Sequence, residues 1–350
     1  MSQASTQAST ASPLNPAASG NADGALRPAR RRGSGAQRRA AGPGRSRAGN
    51  GNRASNGAKA PGQSAWWALL FVGPTGIGLA IFYLWPALRT FYLSFTHTGA
   101  FGGSSWVGLE NYQKLLSNPA LGQALANTAI YTLISLLGIP LAMIVAALLN
   151  TKGLKGRGIY RTLYFLPVVT MPAAVAIVWR MIYNGDYGVL NQFLGLFGAH
   201  GTSWLTNPNT ALVAIAVVGI WAGLGQNVVI FLAGLQGVPA EMLEAAELDG
   251  AGPVRRFIHM VVPMVSPSVF FVSVMSIIGS LQVFDLVYVM MGQNNPAMPS
   301  VKTVVYLFYE AGFINHDQGT AAAIAFVLLL LIFVMTVLQF ALQKKWVHYE

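Results

Sequence analysis

The stretch VPAEMLEAAELDGAGPVRRFIHMVVPMVSP, running from Val238 to Pro267, is charged and punctuated in a chain that is otherwise strongly apolar. Pro239 suits the opening turn of a helix, where a missing N–H removes no intrahelical bond. Glu241, Glu244 and Glu247 follow at i, i+3 and i+6, favourably near the positive end of that helix's dipole. Gly250 can take the left-handed conformation that stops a helix, and Pro253 can open another. The spacing predicts two short helices joined by a tight elbow, Asp249-Gly250-Ala251-Gly252. An exposed, structured elbow of this kind is expected to receive a partner.

Outward from it, the composition is that of a membrane protein. The chain has 350 residues, 53% of them hydrophobic and 9% charged, with a mean hydropathy of +0.49. Soluble domains carry about 25% charged residues. The net charge of +11 is unevenly held: residues 1–64 contain ten Lys/Arg and one acid, the rest twelve Lys/Arg and ten acids. Segment 1–64 is rich in Ala, Gly, Ser and Arg and cannot bury enough apolar surface to offset its ordering entropy. It is expected to be a disordered, basic cytoplasmic tail. Its length and the long apolar run after it are unlike a secretory signal. With no cysteine, disulfides and thiolate chemistry are excluded.

Six apolar segments follow, near 66–88, 127–149, 160–182, 211–234, 262–290 and 320–342, each close to the roughly 20 residues that cross a bilayer. Pro140, Pro167 and Pro172 fall inside the second and third, and kinks are expected there. The fifth is over-long and carries Pro263 and Pro267 at its start, so it is expected to begin outside the hydrocarbon. Lys/Arg asymmetry sets the orientation. With both termini inside, eighteen Lys/Arg lie on the cytoplasmic side and four (Arg89, Lys114, Arg180 and Lys302) lie outside. The Val238–Pro267 elbow then lies in the cytoplasm between the fourth and fifth spans. The expected fold is an all-α membrane protein with six transmembrane helices.

Several chemistries are absent. No Gly-Lys pair occurs, so a phosphate-binding GxxxxGK[ST] loop cannot be written, and HExxH and GxSxG are missing. The five histidines are scattered, and no metal site is expected. Ionisable groups at bilayer depth, which proton- or sodium-driven carriers need, reduce to Asp285 toward the outer end of the fifth span. Uncharged polar groups do occur at depth. Gln226 and Asn227 in the fourth span and Ser276 and Gln282 in the fifth, together with the ionisable Asp285, are candidates for a solute path, with interhelical hydrogen bonding and close packing as the alternative role of the uncharged ones.

Glu244-Ala245-Ala246, Asp249-Gly250-Ala251, Phe257, Pro263 and Pro267 together resemble the EAA loop of ABC importer permeases. Val107-Gly108-Leu109-Glu110-Asn111-Tyr112, Asn127-Thr128, Leu166-Pro167 with Pro172 and Trp179, and Phe284-Asp285 are similar to the carbohydrate-uptake subgroup, the maltose-, lactose- and glycerol-3-phosphate-type permeases. The resemblance spans about residues 65–345 and makes 65–350 a six-helix permease domain. It implies that Glu244, Ala245, Ala246, Asp249, Gly250, Ala251, Phe257 and Pro263 couple the chain to partner ATPases. Ala245 and Ala246 would keep one helix face small, Glu244 would meet a partner cation, and Phe257 would anchor the elbow beneath the bundle. It further implies two ATPase subunits, a second and different permease subunit, and an extracytoplasmic solute-binding protein. ATP and Mg would be used by the partners, with no cofactor bound by this chain. Nucleic acid is not expected as a partner. The solute would be a sugar or related compound, with glycerol-3-phosphate or another polyol as the alternative. No Lys or Arg lies at the centre of a span, which favours a neutral carbohydrate. A self-contained channel or carrier is the competing class, and it leaves the elbow without a purpose.

Overall fold

The structure is a computed structural model, describing residues 65–98, 103–151, 153–198 and 201–347. Segment 1–64, with its expected disorder, lies outside these. Two short strands, β1 (Thr96–Thr98) and β2 (Ser104–Trp106), pair antiparallel. The rest of the described chain is mostly helical, as expected, and three-residue strands are too short to stand out against the helical pattern.

In chain order the helices are α1 (Leu69–Leu93), α2 (Glu110–Ser117), α3 (Pro119–Leu149), α4 (Arg157–Val169), α5 (Pro172–Ile182), α6 (Val189–Gly195) and α7 (Ala211–Gln236). They continue with α8 (Ala240–Leu248), α9 (Pro253–Met264), α10 (Ser266–Leu281), α11 (Asp285–Met291), α12 (Met298–Val301), α13 (Val304–Ile314) and α14 (Gln318–Gln343). Among the described residues, α1, α3, α7 and α14 are each long and apolar enough to cross a membrane alone. The other two expected crossings are bent pairs: α4 and α5 meet at 103°, α9 and α10 at 72°.

The prolines explain the geometry. Thr170 and Met171 are extended, with ψ of 140° and 127°, because the residue before a proline is driven out of the helical region, and Pro172 then restarts a helix. The kink expected in the third span is therefore a corner, and it falls at Pro172 while Pro167 stays inside α4. Pro140 makes no such corner. The Leu136 carbonyl it leaves without a donor accepts from the Ile139 N–H at 3.0 Å. In α1 and α9 the turns before Pro86 and Pro263 widen, with the Trp85 and Val262 N–H groups reaching the carbonyls five residues back.

The fifth span is shorter than expected. Helix α10 stops at Leu281, and Asp285 opens a separate helix after a three-residue break. Small residues let helices approach: Ala142 and Ala146 of α3 are buried with Leu224, Val228 and Phe231 of α7. A Cβ on Gly225 of α7 would collide with the Tyr164 carbonyl oxygen of α4.

Polar side chains fasten the connectors. Asn111 is buried, and its amide donates to the Ser94 and Thr96 carbonyls at 2.9 Å each. Asn127 likewise donates to the carbonyls of Pro299 and Lys302 at 2.9 and 3.0 Å, while the Val304 N–H donates to Thr128 Oγ1 at 3.1 Å. Each unpaired buried group costs about 1–3 kcal/mol. Asn111→Leu leaves two carbonyls without donors, so roughly 2–4 kcal/mol of stability is expected to be lost. Thermal unfolding in detergent should register this as a lower melting temperature; an unchanged transition would remove Asn111 from the framework.

Candidate functional site

Two sites stand out, an elbow between α7 and α10 and a polar cavity within the bundle. In the elbow, Pro239 is the N-terminal cap of α8, one residue before the helical turn expected of it. The helix ends in a complete Schellman turn. The Gly250 N–H donates to the Glu247 carbonyl at 3.0 Å, and the Ala251 N–H to the Ala246 carbonyl at 2.9 Å. Gly250 sits at φ +78°, which makes glycine the fitting residue. Pro253 is the first residue of α9, so the second helix of the elbow is the leading arm of the bent fifth span.

The inner side of the elbow is anchored. Ala246 is buried, and Leu243 and Phe257 pack against the cluster that holds Leu149, Leu235 and Val261. Arg256 Nη1 donates to Glu247 Oε2 at 2.6 Å, tying α9 back to α8. Phe257 therefore sits against the ends of α3 and α7, where anchoring was expected. Pro263 is half-buried six residues further along α9.

The outer side carries Glu241, Glu244, Ala245 and Leu248, all exposed and related by i, i+3, i+4 and i+7. Ala245 and Ala246 thus do not share a small face: consecutive helical residues diverge by about 100°, so Ala245 points out and Ala246 in. Asp249 caps α8 and is exposed, and Ala251 follows half-buried. Leu248 is not among the residues singled out by sequence, yet at 90% it is the most exposed large apolar residue among those described. Its place on the Glu241–Glu244 face was the signal available.

The cavity has a volume of about 420 Å³, within the roughly 300–1,000 Å³ of small-molecule sites. Its polar lining comes from Tyr131 and Ser135 of α3, Gln226 and Asn227 of α7, and Ser276 and Ser280 of α10. None of the residues lining it is charged. Three of the five candidate path residues, Gln226, Asn227 and Ser276, are thereby brought together. Gln282 and Asp285 are not. Gln282 caps α10 and lines a different cleft against α13 and α14, and Asp285 opens α11 exposed and off the cavity wall, although its neighbour Leu286 is on it. Glycines at 138, 219, 223 and 279 leave the walls open. A Cβ on Gly219 would collide with the Tyr131 hydroxyl.

A profile of the binding-protein-dependent transport system inner membrane component matches residues 138–348, which contain the elbow and most of the cavity wall. The chain belongs to this family. Among its relatives, this permease is 34% identical to the arabinooligosaccharides transport system permease protein AraP of Bacillus subtilis, over 79% of this chain and 88% of that one. It is 32% identical to the sn-glycerol-3-phosphate transport system permease protein UgpA of Pectobacterium atrosepticum, over 82% and 97%. A probable ABC transporter permease protein of Bacillus subtilis, YesP, is 35% identical over 80% and 91%. In fold, the permease matches a chain of a bacterial alginate ABC transporter solved with an alginate pentasaccharide-bound periplasmic protein. The TM-score is 0.72 at 20% identity, covering 80% of this chain and 94% of that one.

Proposed function

We propose that this chain is a six-crossing permease subunit of an ATP-driven importer, with each bent pair counted as one crossing and both termini in the cytoplasm. The single observation that carries the reading is the elbow. It is locked to the ends of α3 and α7 on one side and presents a free face, Glu241, Glu244, Ala245 and Leu248, on the other. A load applied to that face is delivered to the ends of α3 and α7 and, through α9, to α10, the three helices that line the cavity. Two ATPase subunits supply the load and hold ATP and Mg, a second and different permease completes the pathway, and an extracytoplasmic binding protein delivers the solute.

The solute is a neutral oligosaccharide. Hydroxyl and amide groups line the cavity without a cation, which suits sugar hydroxyls and gives a phosphate or uronate no counter-charge. Glycerol-3-phosphate, cargo of the UgpA relative by its name, would need one.

Glu244→Lys reverses the charge at the centre of the free face and leaves the buried contacts of α8 untouched. Membrane insertion is expected to persist while uptake and solute-stimulated ATP hydrolysis fall at least tenfold. Normal rates for both in the variant would remove Glu244 from the coupling surface.

A further inference from the structure

Beyond the cavity, five aromatic rings from α11, its preceding break and α13 form a continuous cluster. Phe284 stacks on Tyr288 with centroids 5.3 Å apart and planes at 22°, and Tyr309 meets both, at 5.2 and 5.1 Å. Tyr309 in turn stacks on Phe313 at 5.5 Å and 18°. Tyr306 forms the floor, 3% exposed, whereas Phe313 at the far end is 63% exposed. The inner end of the cluster adjoins the cavity, because Val283 and Leu286, on either side of Phe284 and Asp285, line its wall. Burial, and next the carboxylate of Glu310, hold the Tyr306 hydroxyl above its ordinary pKa, while the hydrogen bond with Tyr288 does most to raise Tyr309. Both hydroxyls are therefore neutral, able to donate and accept at physiological pH. Asp285 is exposed at the start of α11, beside Phe284 and one turn from Tyr288.

Packing alone accounts for Tyr306. It does not account for a row of half-buried rings, Phe284, Tyr288 and Tyr309, that runs from beside the cavity wall to Phe313, which is 63% exposed. Pyranose and furanose rings present C–H faces that stack on aromatic planes, with hydroxyls at the rim for phenol and carboxylate groups. Apolar and aromatic walls with a few placed polar groups are the usual make-up of small-molecule sites.

We infer that Phe284, Tyr288, Tyr309 and Phe313 form an outer carbohydrate subsite that takes a neutral oligosaccharide and passes it to the cavity between α3, α7 and α10. The subsite rests on the importer reading above and adds a residue-level path to it. It works by offering successive ring faces, so a chain of sugar units keeps one unit stacked while the next enters the cavity. Asp285 at its inner end disfavours anionic saccharides.

The test is uptake by the intact importer in cells, with radiolabelled arabinotriose and maltotriose as neutral probes and an alginate trisaccharide as the anionic one. Wild-type uptake of at least one neutral probe, with the alginate probe excluded, is expected. Phe313→Ala, at an exposed position with little packing to lose, should lower uptake at sub-saturating probe several-fold. Tyr309→Leu should lower it about tenfold, the equivalent of about 1.4 kcal/mol, and Tyr309→Phe should restore most of it. Leucine keeps the apolar bulk, so a packing role would be rescued by Leu as well as by Phe. Equal uptake by wild type, Phe313→Ala and Tyr309→Leu overturns the subsite and leaves the importer standing. Wild-type uptake of the alginate probe alone overturns both the neutral-sugar assignment and the subsite built on it. No ATP-dependent uptake of any probe counts against the sugar-importer reading itself, and the subsite falls with it.

Discussion

Gly250→Pro abolishes uptake while leaving the chain in the membrane. Proline is confined to φ near −65°, and Gly250 sits at +78°. The substitution also deletes the N–H that donates to the Glu247 carbonyl at 3.0 Å. The Schellman turn cannot form, the Glu247–Arg256 tie is drawn apart, and α8 no longer holds a fixed angle to α9. A local cost of about 3 kcal/mol or more follows, concentrated in an elbow that contributes little to the buried core. Transport and stimulated ATP hydrolysis are expected to drop to background at normal membrane levels. Gly250→Ala is the graded control: its Cβ meets no atom within 4 Å, leaving only the left-handed penalty of roughly 1–2 kcal/mol. Partial uptake is expected there. Full uptake by Gly250→Pro would show that the elbow need not be rigid.

Gly225→Leu acts at the other extreme, on the bundle itself. Even a Cβ at this position would collide with the Tyr164 carbonyl oxygen and lie 2.9 Å from Val168 Cγ2. Backbone at the contact cannot yield as a side-chain tip can, so α4 and α7 must separate. Overpacking typically costs 1–3 kcal/mol, and a leucine against backbone belongs at or above the top of that range. Loss of monodisperse protein in size-exclusion chromatography is expected. Gly223→Ala, two residues earlier with nothing within 4 Å, should remain folded. Equal behaviour of the two variants would mean that α4 does not pack on Gly225.

Much of this was legible in the sequence because it rests on local rules. The Asp249-Gly250-Ala251 turn, Pro253 as a helix start and the apolar lengths of α1, α3, α7 and α14 all follow from backbone preference and hydropathy. The failures have physical causes. Residues 283–291 are as apolar as α10, so hydropathy carries no sign of the break at Gln282–Phe284, and Asp285 was drawn into the fifth span. Pro167 and Pro172 look alike as letters. Only the second has an extended Thr170-Met171 pair before it, whereas Leu166 before Pro167 stays helical. The outward position of Leu248 depends on which side of α8 meets α3 and α7, which no periodicity in nine residues decides. Tyr131 joins Gln226 and Ser276 across three helices, a juxtaposition invisible along the chain.

The most direct test of the central claim is solute flux in proteoliposomes. The chain is reconstituted with the proposed partner permease and ATPases, the proposed binding protein and a radiolabelled neutral oligosaccharide are supplied outside, and ATP is present or absent in the lumen that corresponds to the cytoplasm. Accumulation is expected only with ATP and binding protein together, and it should vanish with Gly250→Pro. Equal flux without ATP, or flux by this chain alone, would contradict the assignment of a driven permease and make it a self-contained channel or carrier.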